Sequence, residues 1–447
     1  MSLGKNRASL KLATANVIMI ANAFVWYLVA FNGLKVLLSQ QNASESMELS
    51  IIGINAGAIV LAGLLGTLLI DKVKNRRIFL YLWLAGGIVL SIAPLGLNAA
   101  NMTDIAIISV LFGAYFGLGM PATMGYHISF TKVEGRAKIG GITFLIIGST
   151  FAITSLIALD SLIVICLILV ITRLIGLIIF HFMHSKEEKE PPIETNKVKY
   201  TSIISNKAFL LYFIPWGMFT LINFMIVPIE ASMYPTDNNY TTLVVIENLV
   251  TALVAVISGF VADKWGRKRL LIIGFVMLGI GYAFIGLTSG SNLLLGSVIY
   301  TVTDGIAWGI FYVLFLFTLW GDLAQTRSSD KFYFLGALPF LLSYFLQLLF
   351  SPFLESFMDV TIIFSFASVF LFIAVLPLIY APETLPEKVM KDRDLKSYLE
   401  KAQKIAKKDS DKGQKKESKK EEEEHDESVG ENNKEYDEAR KLAEKYY

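Results

Sequence analysis

An aspartate stands in the middle of the apolar run 292–318, within YTVTDGIAWG, where Asp304 has Thr301, Thr303 and Trp308 for neighbours. At 1.5 Å per residue it lies about 18 Å along a run of helical length. A carboxylate that deep in an apolar medium is costly to keep ionised, which suits it to hold a proton or a cation, or else to make a buried structural hydrogen bond to a Ser, Thr or Tyr of an adjacent span. Three other full charges interrupt apolar runs: Glu247, beside Asn248 and Thr251, then Arg173 and Lys35. Glu247 lies nearer the end of its run, where it can serve as a second proton site or as a partner for Lys35. Arg173 reaches mid-depth with no acid of the same half at its level. Its partner is expected to be backbone, hydroxyls, an acid of the other half or a bound anion. Lys35 is near a run's end, and its long stem can carry the charge to the interface.

The elements that hold these groups follow from composition. The chain has 447 residues, 54% hydrophobic and only 17% charged, with a mean hydropathy of +0.56. A soluble domain carries roughly a quarter charged residues. Twelve apolar runs, 13–38, 49–70, 78–98, 104–130, 139–159, 161–184, 208–232, 241–262, 270–289, 292–318, 332–354 and 359–381, are each long enough to cross a hydrocarbon layer of about 30 Å. The expected fold is therefore all-α and polytopic. Asp160 marks the very short turn between the fifth and sixth runs. The first run follows Lys5, Arg7 and Lys11 but is too long for a cleaved leader and contains Asn22 and Asn32, so it reads as a retained span. The one cysteine, Cys166, can form no intrachain disulfide.

Lysine and arginine occupy alternate connections. With the first segment assigned to the cytoplasm, every basic residue outside Lys35 and Arg173 falls on the inner side. The outer connections carry acids alone: Glu45, Glu48, Asp104, Asp160, Glu230, Asp237, Glu355 and Asp359. Both termini are expected to be cytoplasmic, with the chain a multi-pass protein of the cell membrane. Three glycosylation sequons, at Asn42, Asn101 and Asn239, fall in these outer connections. Residues 387–447 form a densely charged tail, basic and then acidic through EEEEHDE, expected to be largely disordered. Its basic part could also rest on an anionic lipid surface.

An internal duplication organises the runs. TLLIDKVKNRR links runs 2 and 3, and GFVADKWGRKR links runs 8 and 9; Asp71 and Asp263 are 192 positions apart. Gly113 and Gly117 of run 4 stand at the same interval from Gly305 and Gly309 of run 10. Two anchors at one offset indicate a six-plus-six repeat. It divides the chain into bundles 1–184 and 208–386, joined by the charged linker 185–207.

In GFVADKWGRKR, Gly259 permits close helix packing and Gly266 a tight turn, while Asp263 can accept from a neighbouring helix N-terminus and pair with Arg267 or Arg269. The stretch resembles the signature of the major facilitator superfamily, found there between spans 2 and 3 and between spans 8 and 9. KVEGR, with Glu134 and Arg136, is similar to that family's element after span 4. APETLPEK, with Glu383, resembles the Pro-Glu-Thr element that follows span 12 in several of its branches. The first copy departs from the pattern: Thr67 replaces the leading glycine, Lys74 the inner glycine and Asn75 the first basic residue. The inner-gate role is thus expected to rest more on the second copy.

The resemblance implies two six-helix bundles that rock about a midplane site, with spans 1, 4, 7 and 10 lining it. Gating is expected of Asp71, Gly259, Asp263, Lys264, Gly266, Arg267, Lys268, Arg269, Glu134, Arg136 and Glu383. Proton coupling or solute binding is expected of Asp304, Glu247, Arg173, Asn22, Tyr115, Asn223, Trp308 and Tyr312. Tyr27, Asn32, Trp216, Tyr344 and Gln347 add a softer polar outline, and His127 is expected to be a hydrogen-bonded core histidine rather than a proton relay. The implied activity is secondary transport of a small solute, proton-coupled, with symport favoured by the Pro-Glu-Thr element. The alternatives are a drug/proton antiporter and a transport-dead sensor signalling through the tail. Partners are the solute, protons and membrane lipids; no nucleic acid, cofactor or metal is expected, and the chain is expected to be a monomer. No Walker A, Gly-x-Ser-x-Gly or metal-ligand spacing is present.

Overall fold

The computed structural model describes residues 2–73, 75–155, 161–183, 198–234, 238–289, 293–324, 328–357 and 359–386. The elements are α1 (Ser2–Gln40), α2 (Glu45–Ile70), α3 (Arg76–Ile92), α4 (Met102–Phe130), α5 (Arg136–Ser155) and α6 (Leu162–Met183), then a short α7 (Tyr200–Ile204). They continue with α8 (Lys207–Ser232), α9 (Asn238–Trp265), α10 (Arg267–Thr288), α11 (Leu293–Phe311), α12 (Leu319–Ala324), α13 (Ser329–Phe357) and α14 (Val360–Tyr380). No strand occurs among the described residues. Twelve spans emerge, because α11, the π-helical turn Tyr312–Leu316 and α12 run on as one crossing, Leu293–Ala324. Helices are the expected solution in lipid, where each backbone polar group must be satisfied within its own segment.

Polar side chains start several helices. Ser44, Asn75, Asn101, Asn206 and Asp359 each accept a backbone N–H of the first turn of α2, α3, α4, α8 and α14. Asn101, a sequon asparagine, thus serves as a helix cap. Asp160, Asp237, the acidic side chain of Glu355, the sequon side chain of Asn239, most of the linker and the tail 387–447 lie outside the described residues.

α1 packs on α4, α5 and α6, α2 on α4, and α3 on α6; α8 packs on α13 and α14, α9 on α11, and α10 on α11 and α14. The two groups meet where α5 faces α9 and where α13 faces α2 and α4. The duplicated glycines make equivalent approaches. A Cβ on Gly113 would meet Asn55 O of α2 at 2.6 Å, and one on Gly309 would meet Thr251 O of α9 at 2.8 Å. Small residues let the helix backbones close on each other in both halves.

Candidate transport site and gate

Connections α2–α3, α4–α5, α9–α10 and α12–α13 share one end of the bundle, called here the basic end; the acidic end is opposite. At the basic end the second signature folds as its residues dictate. Gly266 turns the chain at φ +100, a conformation open to glycine. Glu383, from the Pro-Glu-Thr element, accepts Arg267 N–H at 2.8 Å and Lys268 N–H at 3.2 Å, capping α10. Lys268 Nζ in turn donates to Ile379 O. A Cβ on Gly259 would meet Ala137 O at 2.6 Å, so α9 and α5 touch backbone to backbone.

Asp263 accepts the amide of Lys138, at the start of α5, at 3.0 Å, and Arg267 Nη2 at 2.9 Å. Arg267 also donates to Asp322 at 3.1 Å, and Arg136 donates to the other oxygen of Asp322. Thr384 adds a bond to the same carboxylate. Lys264, Arg269 and Glu134 are exposed at the rim.

The first signature copy is ion-paired as well. Asp71 pairs with Lys331 at 2.8 Å and Arg76 with Asp330 at 2.5 Å, both across to α13. The two motif aspartates are related by the repeat: Asp263 reaches the start of α5, and Asp71 the start of α13. Thr67, the departure from the leading glycine, has its own use: its hydroxyl lies 2.5 Å from Tyr200 OH on α7. Lys331 Nζ donates to Val198 O, and Ser328 Oγ accepts Val198 N–H, so the chain just before α8 is fastened across this seam. Burial pushes the Tyr200 phenol up to about 12, against the bond from Thr67.

Deep within the second half, Asp304 is 2% exposed. Its carboxyl accepts Asn223 Nδ2 at 3.3 Å and Tyr300 OH at 3.3 Å, and the Glu247 carboxyl lies beside it. Tyr300 OH also lies 3.2 Å from Glu230 Oε2, and Asn223 reaches Tyr282 OH at 3.0 Å. Glu230 is therefore not a loop acid, as charge counting had it, but a buried member of this cluster. The missed signal is its spacing: Asn223 and Glu230, seven apart, share a face of α8.

Glu247 points to Asp304 rather than to Lys35. Lys35 Nζ instead sits 4.5 Å from the centroid of the Tyr344 ring, whose hydroxyl donates to Glu48 at 2.9 Å. No basic side chain forms an ion pair with Glu230, Glu247 or Asp304 among the described residues.

Arg173 is fully buried in the first half. Its Nη1 donates to Asn22 Oδ1 at 2.6 Å, and its guanidinium carbon lies 4.9, 4.4 and 4.9 Å from the rings of Trp26, Trp83 and Tyr115. Asn22 Nδ2 is bound to Thr172 O, and Tyr115 OH to Trp83 O. The partner of Arg173 is therefore an amide and three aromatic faces, in place of the expected backbone, hydroxyl, acid or anion, and Asn22 and Tyr115 belong to the same box. His127 is fully buried, but neither of its ring nitrogens has a hydrogen-bond partner among the described residues, so the hydrogen bond expected of it is not seen.

Trp308 and Tyr312 continue the face of Asp304 at intervals of four residues. Their rings stack at 4.6 Å, and Tyr312 stacks on Phe144 of α5 at 4.4 Å. Phe340 lies 5.8 Å from Tyr312 and Phe224 5.9 Å from Trp308.

Twelve apolar spans, an ion-paired seam at one end and a buried carboxyl cluster in the second half are the features of a membrane transport protein. The model of the Major Facilitator Superfamily matches residues 12–317, and the chain belongs to that family. Its members are transporters of small solutes, not enzymes. An uncharacterized MFS-type transporter of Methanocaldococcus jannaschii is 26% identical over 273 residues, 54% of this chain and 63% of that protein. Among solved structures, the human organic anion transporter MFSD10 superposes with a TM-score of 0.61 at 12% identity, covering 83% of this chain and 99% of its own. The proton:xylose symporter XylE superposes with a TM-score of 0.60 at 15% identity, covering 85% and 96%. These likenesses establish the fold.

Proposed function

We propose that the chain is a secondary transporter that moves a small solute by alternating access, coupled to protons bound at Asp304 and Glu247. The observation that carries this reading is the burial of Asp304 beside Glu247, with Tyr300 and Asn223 donating to its carboxyl and no basic side chain paired with it among the described residues; two carboxyls so placed are best held with a proton on one of them. Moving that site between the two sides exposes it in turn, and a neutral site crosses at far lower cost than a charged one. XylE, a proton:xylose symporter, lends support to proton coupling on this fold.

The bundles 1–184 and 208–386 are the rocking units and 185–207 the strap between them. With the basic end in the cytoplasm, as the placement of Lys and Arg favours, the ion-paired seam is the inner gate and stands closed. The protein then belongs in the cell membrane with both termini inside, working as a monomer. Buried ion pairs suit a gate, because each costs desolvation when closed and regains hydration when open.

The test is proton flux in proteoliposomes loaded with pools of sugars, organic acids and organic cations, wild type beside Asp304→Asn. Solute-driven proton movement present in the wild type and lost in the variant supports the reading. Equal proton movement in both removes Asp304 from the mechanism.

A further inference from the structure

We propose that His127 is a proton-binding site of the basic-end seam, neutral while the seam is closed and charged once it opens, so that acid favours opening. This rests on the reading of the seam as a gate and is separate from the coupling role of Asp304.

The imidazole stands in the last turn of α4 and is fully buried, yet neither Nδ1 nor Nε2 has a hydrogen-bond partner among the described residues. A neutral histidine carries one N–H donor and one acceptor, and both are left unmet here. Other buried donors in the spans are satisfied: Trp26 Nε1 donates to Ser91 Oγ at 2.9 Å, Trp83 Nε1 to Tyr115 O at 3.0 Å and Trp216 Nε1 to Gly336 O at 2.9 Å. A buried polar group without a partner is rare enough to call for a use.

Backbone and side-chain bonds tie this ring to the seam. Thr131, one turn on, donates its hydroxyl to His127 O at 2.7 Å and accepts Arg136 Nε on the same hydroxyl at 3.3 Å. Arg136 Nη2 also donates to Thr131 O at 3.2 Å, while Nη1 donates to Asp322 of the second half. The Phe317 carbonyl, also of the second half, lies beside the ring without completing a hydrogen bond to it, and accepts Tyr333 OH at 2.6 Å. The Phe317 ring packs on Phe24 of α1 with centroids 5.7 Å apart. His127 thus sits directly behind contacts that exist only while the two halves meet.

The charged group beside the ring is Arg136 of α5; next to it come its partner Asp322 on α12 and the phenol of Tyr333 on α13. Arg76 of α3 and Asp330 of α13, paired with each other, lie against Gly125 two residues away. On α4 itself the other charge is Asp104, at the opposite end. A proton added to the closed form would set an imidazolium against the Arg136 guanidinium with two N–H donors unmet. The closed seam therefore accommodates the neutral ring. Opening draws Arg136 from Asp322 and admits water, and a hydrated imidazole titrates at about pH 6.5. The open form then binds one proton more than the closed form, so opening gains as pH falls.

The experiment places spin labels at two exposed positions of the basic end, Lys132→Cys in the first half and Arg269→Cys in the second, in the full-length chain in lipid nanodiscs. Between pH 7.5 and 5.5 the ratio of open to closed distances should rise about tenfold or more, the factor for one proton on a group titrating at about 6.5. His127→Gln and His127→Phe should each remove about that factor. His127→Phe should also close further at pH 7.5, since no unmet nitrogen is then buried. Asp304→Asn should keep the response. Each variant is checked by its elution profile and melting temperature; if neither His127 variant folds, the wild type still decides, because a ratio flat between pH 7.5 and 5.5 overturns the inference. A rise unchanged in His127→Gln assigns the acid response to carboxyls and also overturns it. If that rise is lost in Asp304→Asn, the response belongs to the coupling site and the proposed function stands. Labels fixed at the closed distance in both the wild type and Asp322→Asn would sink the gate reading itself.

Discussion

Arg76 Nη2 and Asp330 Oδ1 are 2.5 Å apart, joining positions separated by 254 residues. Both side chains are almost fully buried, so the pair closes a dry seam between the two repeats rather than decorating a surface. Together with Asp71–Lys331 it forms one side of the ion-paired seam proposed as the gate; Arg136, Asp263, Arg267 and Asp322 form the other.

Asp322→Asn leaves Arg136 and Arg267 buried with reduced compensation, which costs about 3–5 kcal/mol when a buried pair is broken. The closed gate should open more often, and the amides of Lys138 and Arg267, held by Asp263 and Glu383, should exchange with solvent at least 100-fold faster, the rate equivalent of about 3 kcal/mol. Unchanged exchange at those two amides would show that Asp322 does not hold the gate.

Gly259→Val places a side chain against the Ala137 carbonyl, which is backbone and can move only with α5. Overpacking of this kind costs roughly 1–3 kcal/mol. Spin labels on α5 and α9 should report a longer basic-end distance than in the wild type. Gly57→Val is the matched control, since nothing lies within 4 Å of a Cβ there. Equal distances in the two variants would refute the close-approach role.

Arg173→Met should lower the melting temperature because Asn22 loses its partner in a buried place. The double variant Asn22→Leu/Arg173→Met should recover to within about 1 kcal/mol of the wild type, since apolar replacements of buried polar pairs are often neutral. Transport should survive in the double variant. A folded double variant that no longer transports would return Arg173 to the solute path.

The Tyr200–Thr67 contact should be insensitive to pH up to about 10. Burial holds the phenol protonated up to about 12 in the folded chain, against about 10 unfolded. Its contribution is thus full below pH 10 and fades as pH rises toward 12, where the phenolate must be formed in a half-buried place. Tyr200→Phe should abolish that alkaline loss of basic-end closure, read by cross-linking between α2 and α13. A variant with the wild-type alkaline profile would assign the transition to another group.

The spans and the burial of Asp304 were legible in the sequence, because bilayer thickness imposes length and apolarity on each crossing. Span 10 proved longer than its apolar run, since the gate residue Asp322 sits on a short helix after the π turn. Counting basic residues by side hid the acids that answer them: Asp322 and Asp330 become visible only when α12 and α13 fold against α5 and α3. Glu230 was hidden because it ends an apolar run, where loop and helix look alike. The aromatic box of Arg173 draws Trp26, Trp83 and Tyr115 from three helices, and no linear spacing connects them.

That box also bears on how the chain enters the bilayer. α6 carries the guanidinium yet has the highest mean hydropathy of the twelve spans, 3.1. An arginine at a helix centre opposes insertion by about 2.5–3.5 kcal/mol, and several leucines and isoleucines offset it. The surplus apolarity of α6 thus offsets the cost of carrying the guanidinium across the bilayer, and α1, earlier in the chain, supplies Asn22 and Trp26 to receive the charge.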